Sequence, residues 1–119
     1  KSMKDCISYF SDINLKRNQK KILILGDMKE LGENSLKFHE KLLIYTSELN
    51  FENIIICGEL MNLALKKTNI KNMKHISNID DLLLYLKIIV NNNDIMLVKG
   101  SNSSLTNYLV NKHLMKGVN

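Results

Sequence analysis

Proline is absent from the 119 residues, only two cysteines occur, and Arg17 is the single arginine. Without proline and with 45% hydrophobic residues, the composition agrees with a compact fold, and the length suits one domain around a single core. Cys6 and Cys57 lie far apart and make no disulfide framework, which points to a reducing cytoplasm, with Cys57 a small buried hydrophobe rather than a nucleophile. No long apolar run exists either. "DLLLYLKIIV" at 81–90 is broken by charge well short of the ~20 residues a membrane helix needs, and no charged start leads into an apolar leader. The net charge of +5 raises nucleic acid as a partner. Scattered lysines, one arginine and no aromatic residues interleaved for base stacking argue against it. The dense basic patch "KRNQKK" at 16–21 reads as a solvated loop.

Four runs rich in Ile, Leu and Val read as strands: "KILILG" (21–26), "NIIICG" (53–58), "MKHIS" (73–77) and "DIMLVKG" (94–100). The first, second and fourth are nearly continuous in apolar residues, as strands covered on both faces must be. Between them, apolar residues recur at helical spacing: Leu36, His39, Leu42, Leu43 and Leu49; then Leu60, Leu63, Ala64 and Leu65; then Ile79, Leu82, Leu83, Leu86 and Val90. An opening helix over about 2–13 carries Met3, Cys6, Ile7 and Phe10 on one face, and a closing helix over about 104–116 carries Leu105, Tyr108, Leu109 and His113 or Leu114. Ser35, Asn78 and Ser103 or Ser104 stand at N-cap positions, with Asp80 and Asp81 in a helix first turn.

Strand and helix alternate, so the expected fold class is α/β: an open, mostly parallel, Rossmann-like sheet with helices on both faces. If the first strand is central and the chain winds outward before returning, the last strand lies beside the first. Ligands of such sheets sit outside the carboxyl ends of the strands where the order reverses. "GDMKELG" after the first strand and "KGSNSS" after the fourth would meet there.

Neither common phosphate cradle is present in the first of these loops. The dinucleotide fingerprint needs a glycine where Met28 stands, and a Walker A loop needs one where Leu31 stands; Asp27 would also repel a phosphate on that backbone. A phosphoacceptor receiver needs an acidic pair after the first strand, but only Asp27 follows it, and Cys57 ends the second. At the end of a buried strand the Asp27 charge demands a partner. Lys99, across the switch point, is the expected one, either as a structural ion pair or as a cation aimed at a substrate carboxylate or phosphate. Glu30 reads as satisfying amides of its own loop, and His39 as a packed, hydrogen-bonded histidine rather than a ligand or base. His75 and His113 have no acidic or cysteine neighbours at metal spacing, so no metal site is assigned.

"LGDMKELGENSLKFHEKL", "ICGEL" and "DIMLVKGS", in this order and at these intervals, resemble the C-terminal domain of the Mur ligases. Among them the likeness is strongest to the type that adds D-alanyl-D-alanine to UDP-N-acetylmuramoyl-tripeptide in peptidoglycan precursor synthesis. The resemblance spans nearly the whole chain, and the strand-GDM-x-E-L-G-x(6)-H spacing is its most specific element. It implies a division of labour among three domains: an N-terminal one holding the UDP-sugar, a central one carrying the ATP phosphate loop, magnesium ligands and a carbamylated lysine, and this C-terminal one closing over the site. The chain would then be a lid that starts after the linker, with ATP and magnesium bound by the central domain and no cofactor of its own. The implied reaction is ATP-dependent: the tripeptide carboxylate becomes an acyl phosphate, and the amine of D-alanyl-D-alanine attacks it.

Carried onto this sequence, Asp27, Met28, Glu30 and Leu31 match the family's first loop, and Lys99, Gly100 and Ser101, with Asn102 following, match the loop facing the incoming dipeptide and the nucleotide. The expected roles are charge neutralisation by Lys99 and hydrogen-bond donation by Ser101 and the amides after it. The family usually continues K-G-S-R-G-M; here Asn102, Ser103 and Ser104 follow, so an arginine able to fork onto a carboxylate or phosphate is missing. Two alternatives stay open: the equivalent domain of a folylpolyglutamate synthase-type ligase, and a free-standing module binding a nucleotide or a protein at the same cleft.

Overall fold

The computed structural model describes residues 2–29 and 32–101. Their elements follow in the order α1 (Met3–Ser11), β1 (Lys21–Leu25), a 3-10 turn (Gly32–Asn34), α2 (Ser35–Ser47), β2 (Asn53–Ile56), α3 (Glu59–Thr68), β3 (Met73–His75), α4 (Ile79–Ile89) and β4 (Ile95–Lys99). The expected closing helix over 104–116, with its Ser103 or Ser104 cap, lies outside the described residues.

All three strand pairings are parallel, in the order β3-β2-β1-β4. The chain therefore winds outward from β1 and returns to its other side. Ile22, Leu23, Ile24 and Leu25 are each fully buried, as a strand with neighbours on both sides and helices on both faces requires. Leu23 and Leu25 point into a core shared with α1, α2 and α3, which supply Ile7, Leu43 and Met61. Ile22 and Ile24 face Leu82 and Leu86 of α4. A reversal of winding direction explains this division. With right-handed crossovers, helices leading from β1 toward β3 stack on one face, and the helix that carries the chain back to β4 must lie on the other.

Local signals explain most element boundaries. The Asn78 side chain caps α4 by accepting from Asp81 N–H at 2.9 Å, and Ser2 caps α1 by accepting from Asp5 N–H at 3.0 Å. Ser35 does not cap α2. Asn34 holds that position without a side-chain hydrogen bond, because the preceding 3-10 turn runs straight into the helix and Ser35 is already inside it. On α3 the inward residues are Met61 and Ala64, whereas Leu63 is exposed. Met61 and Ala64, three residues apart, share the docked face, and Leu63, two residues after Met61, falls outside it. β4 is half-buried along its length rather than fully covered, consistent with its place at the sheet edge among the described residues. The last two lysines of the basic patch are structural: Lys20 pairs with Asp94, and Lys21 Nζ donates to Ser11 O.

Candidate functional site

The carboxyl ends of β1 and β4 adjoin, and the ladder between them runs on past the strands. Gly26 N–H donates to Lys99 O at 2.7 Å, and Ser101 N–H to Asp27 O at 2.9 Å. The Ser101 hydroxyl then accepts from Lys29 N–H at 2.8 Å. The two loops expected to meet at the switch point thus do so through their backbones. Of the expected site residues, Asp27, Met28, Lys99, Gly100 and Ser101 come together here. Glu30, Leu31 and Asn102 lie outside the described residues.

Asp27 and Lys99 do not form the expected ion pair; the one salt bridge among the described residues joins Lys20 to Asp94. The Asp27 carboxylate turns toward α3, where Oδ2 accepts from Leu60 N–H at 3.1 Å and Oδ1 from Met61 N–H at 2.9 Å. Helix α3 begins after Gly58, which holds the N-cap position but has no side chain to satisfy the first amides. A carboxylate from the neighbouring strand tip fills that role and meets the positive end of the helix dipole, a favourable contact of about 0.3–1 kcal/mol, or up to ~2 when partly buried. Gly58 is required on two grounds. Its φ is +112°, and a Cβ there would overlap the Asp27 carboxylate. The "ICGEL" run marked this strand-to-helix turn, but nothing local in it names Asp27 as the cap.

This arrangement decides what the helix end can bind. An N-terminus of this kind is a ready anion site in other α/β sheets; here the chain's own carboxylate occupies it. Cys57, between β2 and Gly58, is buried beside it. Burial, and then the Asp27 charge, push its thiol up to about 12, so it stays protonated at neutral pH and is no nucleophile.

Met28 packs against the core on the α1–α3 face, and its N–H donates to Nε2 of His39 at 3.0 Å. Nδ1 of His39 lies 2.6 Å from Ser35 O. Because Nε2 accepts, the ring proton is assigned to Nδ1, which donates to Ser35 O. His39 is fully buried in α2, in agreement with the reading of a packed, hydrogen-bonded histidine.

Lys99 ends β4 opposite Leu25 and shares its face of the sheet. It is half-buried, and its ammonium has no hydrogen-bond or ion-pair partner among the described residues. Ser101 commits its N–H to Asp27 O, and its Oγ accepts from Lys29 N–H. Among the described residues no group of His, Cys, Asp and Glu has the arrangement of a metal site. The N-terminus of α3, taken up by the Asp27 carboxylate, is not open to a phosphate. A separate cleft of about 420 Å³, lined by Lys74, His75, Ser77, Asp81, Leu84, Tyr85 and others, lies two strands away at the tip of β3.

An open parallel sheet with its order reversing between β1 and β4, a half-buried acid tied to a helix start and a cation at the next strand tip define a Rossmann-like α/β domain. The family "Mur ligase, glutamate ligase domain" matches residues 1–102. The chain belongs to that family. It is also 37% identical over 86 residues to the UDP-N-acetylmuramoyl-tripeptide–D-alanyl-D-alanine ligase of Buchnera aphidicola subsp. Acyrthosiphon pisum (strain APS). The alignment covers 71% of this chain and 18% of the relative, so the chain corresponds to about a fifth of that enzyme. No helix among the described residues is long and apolar enough to cross a membrane.

Proposed function

We propose that this chain serves as the C-terminal lid of an ATP-dependent ligase that joins D-alanyl-D-alanine to UDP-N-acetylmuramoyl-tripeptide, closing over a reaction centre carried by the rest of the enzyme. The observation that carries the reading is the family match over residues 1–102, together with the relative whose name states that reaction. The switch-point geometry supports it: a half-buried Lys99 at the tip of β4 beside a loop held in place by hydrogen bonds. In this reading ATP and magnesium belong to the remainder of the ligase.

The residues of this chain would act by position and charge. Lys99 neutralises an anionic group of the acceptor or nucleotide, and the clamped 26–29 loop presents a fixed wall to it. Closure keeps water from the activated carboxylate and aligns the amine, an effect for which orientation supplies up to roughly 7–11 kcal/mol in favourable cases. Burial of the acceptor against Lys99 makes the charge count for more than it would in open water.

The test is phosphate release by the full-length protein. Release that requires ATP, UDP-N-acetylmuramoyl-tripeptide and D-alanyl-D-alanine together supports the assignment. Release driven by folate and glutamate instead would move the domain to the folylpolyglutamate synthase type. Turnover of ATP by the 119-residue chain alone would overturn the division of labour.

A further inference from the structure

We infer that His39 is a positioning residue for the 26–29 loop, acting as one jaw of a two-sided latch whose other jaw is Ser101; this deepens the proposed acceptor-side role and rests on that reading. The observation is the convergence of three elements on consecutive residues. Asp27 is held by α3 through its carboxylate, Met28 by α2 through His39, and Lys29 by the strand β4 exit through Ser101. Asp27 O is also tied to Ser101 N–H, so the jaws share a hinge.

Geometry separates this from ordinary packing of a buried histidine. A ring that merely filled space would not need both nitrogens engaged, and an apolar side chain of similar volume would serve. Here Nδ1–H is anchored on Ser35 O within α2, which sets the ring so that the Nε2 lone pair faces the Met28 amide. The histidine therefore transmits the position of α2 to the loop. An acceptor is needed at this point because Met28 N–H has left the β ladder; deprived of it, the amide would be a part-buried donor without a partner.

Two variants test this, each by exchange and by kinetics. Gln at 39 keeps an acceptor near the position of Nε2, whereas Leu keeps volume without one. In the 119-residue chain, amide hydrogen exchange is measured at Met28 and Lys29, with Ile55 in β2 as an internal control. His39→Leu is expected to speed exchange at both loop amides by ~10-fold or more, the scale of a lost hydrogen bond to a part-buried donor, with Ile55 unchanged, and His39→Gln to restore most of the protection. Faster exchange at Met28 alone would overturn the shared latch, as would uniform acceleration that includes Ile55.

In the full-length ligase, His39→Leu is expected to raise KM for the acceptor dipeptide by ~10-fold with kcat within about twofold, a pattern of lost binding rather than lost chemistry, and His39→Gln to recover it. An unchanged KM beside a lowered Tm would leave His39 a packing residue and overturn the positioning role. Absence of ligation in the unmutated enzyme would count against the proposed function, while the exchange experiment still decides the latch.

Discussion

The carboxylate of Asp27 occupies the space that a side chain at Gly58 would need, and from there it caps the first turn of α3. Two residues 31 positions apart thus specify each other: the glycine makes room and the acid replaces the cap that glycine lacks.

A double-mutant cycle follows from this pair. Gly58→Ala should cost several kcal/mol, since positive φ alone strains an L-residue by about 1–3 kcal/mol and the methyl must also displace the carboxylate. Asp27→Ala should cost about 0.5–2 kcal/mol, the usual range for a lost cap. In the double variant the alanine at 58 has less to displace, so its cost should fall below that of the single variant. Urea unfolding of the four proteins measures the coupling; strict additivity would count against the steric relation.

Removing the charge from Lys99 should leave the fold intact. Its side chain has no partner among the described residues, so Lys99→Met should shift Tm little. In the full-length ligase the same change should lower kcat/KM by roughly 10–100-fold, the scale of a lost charge-assisted hydrogen bond, with Lys99→Arg retaining part of the activity. Steady-state kinetics with varied D-alanyl-D-alanine makes the comparison.

Acid should weaken the domain through Asp94. Burial raises its carboxyl, but the Lys20 side-chain hydrogen bond, the Asn91 and Lys20 amides and the Lys20 charge outweigh it, so it lies below its ordinary 3.8. A folded value below the unfolded one stabilises the native state above that pH, and the contribution is lost as pH falls through the folded value. The stability gap between the unmutated chain and Asp94→Asn should be widest near neutrality and close below about pH 3.8. Thermal melts across pH 2–7 would reveal it; a gap that stays constant into acid would refute the linkage.

Thiol titration should distinguish the two cysteines. Cys6 is half-buried and Cys57 buried, with the latter's thiol held near 12 by burial and the Asp27 charge. At pH 8 a disulfide reagent should modify Cys6 in the native protein and Cys57 only after denaturant is added. Replacing Cys57 with alanine should then leave native-state labelling unchanged.

The amino-acid sequence by itself determined the alternation of strand and helix, the parallel sheet, the capping of α4 by Asn78 and the meeting of the loops after β1 and β4. Each follows from short-range periodicity, cap chemistry and the handedness of crossovers, which are properties of local segments. Only the tertiary structure decided what Asp27 binds. Charge alone pointed to Lys99, yet a carboxylate is satisfied by whichever donors lie within hydrogen-bond reach, and packing brings the bare N-terminus of α3 to it at 2.9–3.1 Å. The same holds for His39, whose burial was legible from its place on the helix face. Its hold on Met28 was not, because that contact depends on where α2 docks against a strand tip 11 residues away in the chain.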